Sequence, residues 1–101
     1  MKTNRIELAG VIAQGPIRKQ SPAGIPHCHF VIEHRSEQQE AALQRQVYCR
    51  LPVVISGQGS QNQTQHLALG SHIKVGGFLA YQTSRNGQGK LVLHADEIID
   101  I

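Results

Sequence analysis

The chain has 101 residues, 40% hydrophobic and 17% charged, enough for one compact domain with one core and too short for two ordinary ones. Ten Lys and Arg against seven Asp and Glu leave a formal charge of +3, which suits a polyanionic partner without requiring one. The longest uncharged run, Val53 to His72, is broken by Ser, Gly, Gln and Asn and never reaches the ~20 consecutive apolar residues of a membrane span.

Met1-Lys2-Thr3-Asn4-Arg5 leads into an alternating pattern with no apolar h-region and no small-residue cleavage site, which predicts a cytoplasmic protein. Residues 4–13 form the first strand candidate, with Ile6, Leu8 and Ile12 on one face and Gly10 marking a bulge or bend. Gly15-Pro16 is expected to stop it, and Ile17 to Ile25 to be a basic connection containing Pro22 and Gly24. The second strand follows. Cys28, Phe30 and Ile32 share one face, while His27, His29, Glu33 and Arg35 fall on the other.

Ser36 to Ala42, rich in Glu and Gln, is expected to be a mobile hairpin loop because it has little to bury. Leu43 to Ser56 is the third strand, with Val47, Cys49 and Leu51 opposite Gln46, Tyr48 and Arg50. Gly57 to Gln65 lacks apolar content and is expected to be a loop. Ser71 to Gln82 makes the fourth strand, interrupted by a bulge at Gly76-Gly77, with Phe78 assigned to the core alongside Phe30. Asn86-Gly87 signals a hairpin, and Lys90 to Ala95 is the fifth strand.

Five strands and no convincing long helix predict an all-β fold, a five-stranded OB-fold barrel, over residues 1–101. His27 and His29 project from one strand face, whereas Cys28 and Cys49 point to the other, so no four-ligand metal shell assembles. The two cysteines are too few for a disulfide framework and are expected to stay reduced. No nucleophile elbow, phosphate loop or paired-carboxylate context surrounds the Ser, His and Asp residues, which argues against an enzyme.

The runs TNRIELAGVIAQGPIRKQSPAGIPHCHFVIEHRS, RQVYCRLPVVISG, GSHIKVGGFLAY and NGQGKLVLHAD, in that order, resemble the primosomal replication protein N (PriB) family, bacterial relatives of the single-stranded DNA-binding proteins. SPAGIPHC, EHRS and LPVVISG together make the resemblance specific, and it covers nearly the whole chain. It implies a homodimer of OB-folds that binds single-stranded DNA in the replication-restart primosome. It further implies contact with the primosomal helicase and recruitment of the following loading protein, with no cofactor.

Single-strand binders need cationic side chains along a groove and π-faces for bases. Arg18, Lys19, Arg35, Arg45, Arg50, Arg85 and Lys90 are the phosphate candidates, and the resemblance puts Lys19, Arg35, Arg45, Arg85 and Lys90 at basic positions associated with DNA binding. Tyr48, between Gln46 and Arg50, is either a stacking platform for a base or a barrel side chain with a hydrated hydroxyl. Family members often carry Trp at the position of Tyr48, an aromatic at that of Leu43 and Lys at that of Thr83. This chain therefore has a thinner platform and is expected to rely more on phosphate contacts.

Two other functions fit the same fold. One is a protein-docking module with incidental DNA binding. The other is a general single-stranded DNA-binding protein, here tail-less; that class normally carries a flexible linker and acidic tip after its OB domain, so the end of the chain at Asp100-Ile101 counts against it. The regular first strand is the expected homodimer edge, with a monomer whose edge is covered by Ile98 to Ile101 as the alternative.

Overall fold

The computed structural model describes residues 2–101. Five strands, β1 (Ile6–Gln20), β2 (Pro26–Glu40), β3 (Leu43–Ser56), β4 (His72–Thr83) and β5 (Gly89–Asp100), close into a barrel in the order β1-β2-β3-β5-β4, with one short helix, α1 (Ser60–Thr64), between β3 and β4. All strand pairs are antiparallel except β3 with β5. Closure fills the inside with alternate residues of every strand, among them Ile12, Phe30, Ile32, Val53, Ile73 and Leu93. No helix among the described residues is long and apolar enough to cross a membrane.

The chain departs from its sequence pattern in four places, each for a physical reason. Gly15-Pro16 does not end β1. The register against β2 slips between Ile12 and Gln14 and again between Gln14 and Ile17. These bulges accommodate the missing proline donor, and pairing then resumes from Ile17 to Gln20. The connection expected over Ile17 to Ile25 shrinks to a turn closed by Ser21, whose carbonyl accepts the Gly24 amide at 2.8 Å.

Ser36 to Ala42 is not a loop. β2 and β3 stay in register from His27↔Ser56 to Glu40↔Leu43, and the chain reverses at Ala41 and Ala42, with φ of 53° and 64°. Backbone pairing, rather than burial, organises this segment. It is supplemented by a Gln46–Glu37 hydrogen bond of 2.9 Å and an Arg45–Glu40 ion pair of 3.0 Å. The hairpin projects as a finger, and the molecule measures 50 × 33 × 31 Å.

The polar segment after β3 also contains structure. Ser60 and Thr64 of α1 are buried, and the Thr64 hydroxyl donates to the Ser60 carbonyl at 2.6 Å. Arg18 donates to the Thr64 hydroxyl at 2.6 Å and to its carbonyl at 2.7 Å, satisfying the end of a helix too short to be stable alone.

Phe78 is outside the core, 48% exposed. The alternation set by Ile73 and Val75 runs on through both glycines, because the unpaired bulge residue is Asp96 of β5: Gly76 pairs with Glu97 and Gly77 with Ala95. Gly77 is required here, since a Cβ at that position would collide with the His94 carbonyl.

Candidate nucleic-acid interface

The pleat of β2 and β3 decides which predicted residues meet. Cys28, Phe30 and Ile32 point inward, so His29, Val31, Glu33 and Arg35 line the outer face, with Arg50 opposite Glu33 and Tyr48 opposite Arg35. The Arg35 guanidinium lies over the Tyr48 ring, 4.5 Å from its centroid. Tyr48 itself is half-exposed. Glu33 accepts from Arg35 at 3.3 Å, from the Tyr48 hydroxyl at 3.1 Å and from Arg50 at 3.2 Å. The face thus carries an aromatic ring held between ionic contacts, two guanidinium groups and one central carboxylate.

A cleft beside this face lies above the β1 bulge. Ile17, Val31, Pro52 and Val92 give it apolar walls, and His29, Gln82 and Lys90 give it polar ones. His29 is held below its ordinary pKa, first by partial desolvation of its ring and then by repulsion from the basic side chains Lys19, His27, Lys90 and His94 around it. His94 stacks on Phe78 with ring centroids 4.9 Å apart and planes 4° from parallel. Cations, imidazoles and exposed aromatic surface therefore continue around the barrel from β2 to β4.

The remaining predicted residues are dispersed. Arg45 stands near the fingertip, paired with Glu40. Arg85 is exposed in the turn between β4 and β5, which is closed by the Ser84 amide and the Gln88 carbonyl at 2.7 Å. Arg18 is engaged with Thr64 on the side of α1, through one donor from each terminal nitrogen. Sequence patterning missed Glu33 and the Phe78–His94 stack. The cross-strand register would have shown Glu33 facing Arg50, but that register requires the turn to be placed at Ala41-Ala42.

β1 presents an uneven edge. It pairs with β4 from Ile6 to Val11 but with β2 only from Val11 onward. Ile12 directs its backbone groups toward β4, donating to the Ser71 carbonyl and accepting from the Gly70 amide. Alternation then turns those of Glu7 and Ala9 to the opposite, unpaired side. There the His34 Nδ1 meets the Ala9 carbonyl at 2.6 Å, and Nε2 meets the Ser36 hydroxyl at 2.7 Å.

Residues 4–97 match the model of a family described as another single-strand binding protein family. The replication restart protein PriB of Photobacterium profundum is 69% identical over 96 residues, covering 95% of this chain and 92% of that protein. The protein of the same name from Vibrio vulnificus is 67% identical over 99 residues, 98% of this chain and 99% of the relative. The chain belongs to the PriB replication-restart family of single-strand binding proteins. The fold agrees: the barrel superposes on the small single-stranded DNA-binding protein of Streptomyces coelicolor with a TM-score of 0.80 at 21% identity, covering 100% of this chain and 95% of the other. The chain is thus a PriB-family OB-fold, and the face built by Arg35, Tyr48 and Arg50 lies on the paired strands β2 and β3 of that fold.

Proposed function

We propose that the protein binds single-stranded DNA along the outer face of β2 and β3 and the adjoining cleft, as an accessory of replication restart. Arg35, Arg50, Lys19 and Lys90 take phosphates, Arg45 and Arg85 extend the cationic path, and Tyr48 offers a ring to a base. The Arg35–Tyr48 pair carries this reading, because a cation and an aromatic ring side by side on an exposed strand face are what a sequence-tolerant single-strand binder needs. Arg18 contributes least, since it is committed to Thr64.

In this reading the protein works as a homodimer joined at the open β1 edge, stabilises the primosomal helicase on DNA and helps recruit the following loading protein. The side of Glu7 and Ala9, which no strand of this chain covers, supports the dimer, because an open edge of that kind pairs readily with a copy of itself. Titration of a labelled oligonucleotide at two salt concentrations, followed by addition of the restart helicase, tests the assignment. Saturable, salt-sensitive binding and a longer-lived helicase complex are expected. Helicase capture without any direct DNA binding would favour a docking module instead.

A further inference from the structure

The outer face of β2 and β3 holds one anion among its cations. Glu33 lies opposite Arg50 and two residues before Arg35, so the pleat sends all three side chains, with Tyr48, to the same side. Its Oε2 accepts from Arg50 Nη1 at 3.2 Å and from the Tyr48 hydroxyl at 3.1 Å, and its Oε1 accepts from Arg35 Nη2 at 3.3 Å. The Glu33 side chain is 26% exposed, against 72% for Arg35 and 42% for Arg50. The carboxylate is therefore the shielded centre of a group whose cations face solvent.

A carboxylate and a phosphate offer guanidinium donors the same kind of acceptor. We propose that Glu33 is an intramolecular competitor for the DNA phosphate. In the free protein it occupies donors of Arg35 and Arg50, and a strand that uses those donors displaces it. Glu33 thereby holds the affinity below what the two arginines alone would give and keeps the bound strand exchangeable. This inference rests on the single-stranded DNA reading above.

The energetics favour a tuning role over a structural one. Exposed arginines need no partner to remain on a surface, and exposed ion pairs add little stability. A partly shielded negative charge beside a phosphate position is screened less well by salt than one in open solvent, so its repulsion is felt. Once uncovered, the carboxylate also attracts a cation from solution, which offsets part of the counterion release that drives binding.

Glu33→Gln removes the charge while keeping the shape and an acceptor for the Tyr48 hydroxyl. Anisotropy titrations of a fluorescein-labelled oligothymidylate at several salt concentrations should show about two- to fivefold tighter binding than wild type. The slope of log K against log salt should steepen. Glu33→Thr, β-branched to suit the strand, is a second variant that must show the same gain, and unfolding curves identify the variants that are folded. In an Arg35→Gln, Arg50→Gln background the gain should fall to the smaller part that relief of direct charge repulsion supplies, because no guanidinium remains to be released. A gain of undiminished size in that background, or folded variants that bind no tighter than a wild type that does bind, would overturn the competitor role and leave the DNA reading intact. A wild type that fails to bind the oligonucleotide overturns both.

Discussion

Directly across the β2–β3 ladder, the guanidinium of Arg35 covers the ring of Tyr48 at 4.5 Å from its centroid. A cation over a face of the ring restrains the side chain, so less rotational freedom is lost when a base arrives. The two residues are coupled in space yet, in the proposed interface, should contribute differently to binding, and salt separates them.

Tyr48→Ala should weaken oligonucleotide binding by about 1 to 3 kcal/mol with the salt slope nearly unchanged, because a neutral ring releases no counterion. Arg35→Ala should reduce the magnitude of the slope by about 0.7 with little dependence on base sequence. The check is a set of titrations across a salt series on variants shown to be folded. Wild-type affinity in folded Tyr48→Ala would reject the stacking role.

At micromolar concentration, light scattering should give about twice the 11.1 kDa chain mass. Glu7→Pro removes an amide from the unpaired side of β1 while leaving the backbone groups that face β4 in place, and should shift the protein toward the monomer. A variant that stays dimeric would place the interface elsewhere.

Acid should destabilise the fold through His29. Its folded pKa lies below the ordinary 6.5, so between those two values the unfolded chain holds the proton more readily than the folded one. Stability is then greatest above 6.5 and is lost as the pH falls through that window. The groups that set the sign are the desolvated ring surroundings and the neighbouring Lys19, His27, Lys90 and His94. Urea unfolding at a series of pH values should show a shallower acid-side fall for His29→Gln than for wild type, and equal steepness would remove His29 from the account.

Amides of the finger, from Glu37 to Gln46, should exchange with solvent faster than those of Phe30, Ile32 and Val53. All ten finger residues are exposed, so their ladder lacks the apolar cover that protects the barrel. Hydrogen exchange resolved by residue is the measurement, and uniform protection along β2 would contradict the expectation.

The barrel was legible because closure demands strict alternation. Cys28, Phe30 and Ile32 in β2, and Ile73 and Val75 in β4, announced both the strands and the buried face. The finger was not, because composition reports what a segment can bury, whereas Glu37 to Ala42 is organised by backbone pairing and polar contacts across the ladder. Phe78 was misplaced for a related reason: hydrophobicity suggested the core, but its parity, opposite to that of Ile73 and Val75, puts it outside. The cationic candidates could be named from the sequence, yet only the register shows that Arg35, Tyr48 and Arg50 converge while Arg18 is engaged by Thr64. Glu33 escaped attention because an acid among bases gains meaning only when its neighbours across the strand are known.

Ala41 and Ala42 both turn the finger in a left-handed conformation that a residue with a Cβ adopts at a cost of roughly 1 to 2 kcal/mol. Asn-Gly, the pair best suited to such a turn, occurs instead at Asn86-Gly87. The half of the surface built on the barrel rests on the buried core, while the half that reaches outward is fully exposed and closed by a strained turn. A strand bound as proposed would therefore lie partly on a face anchored to the buried core and partly on a finger held only by its ladder and polar contacts.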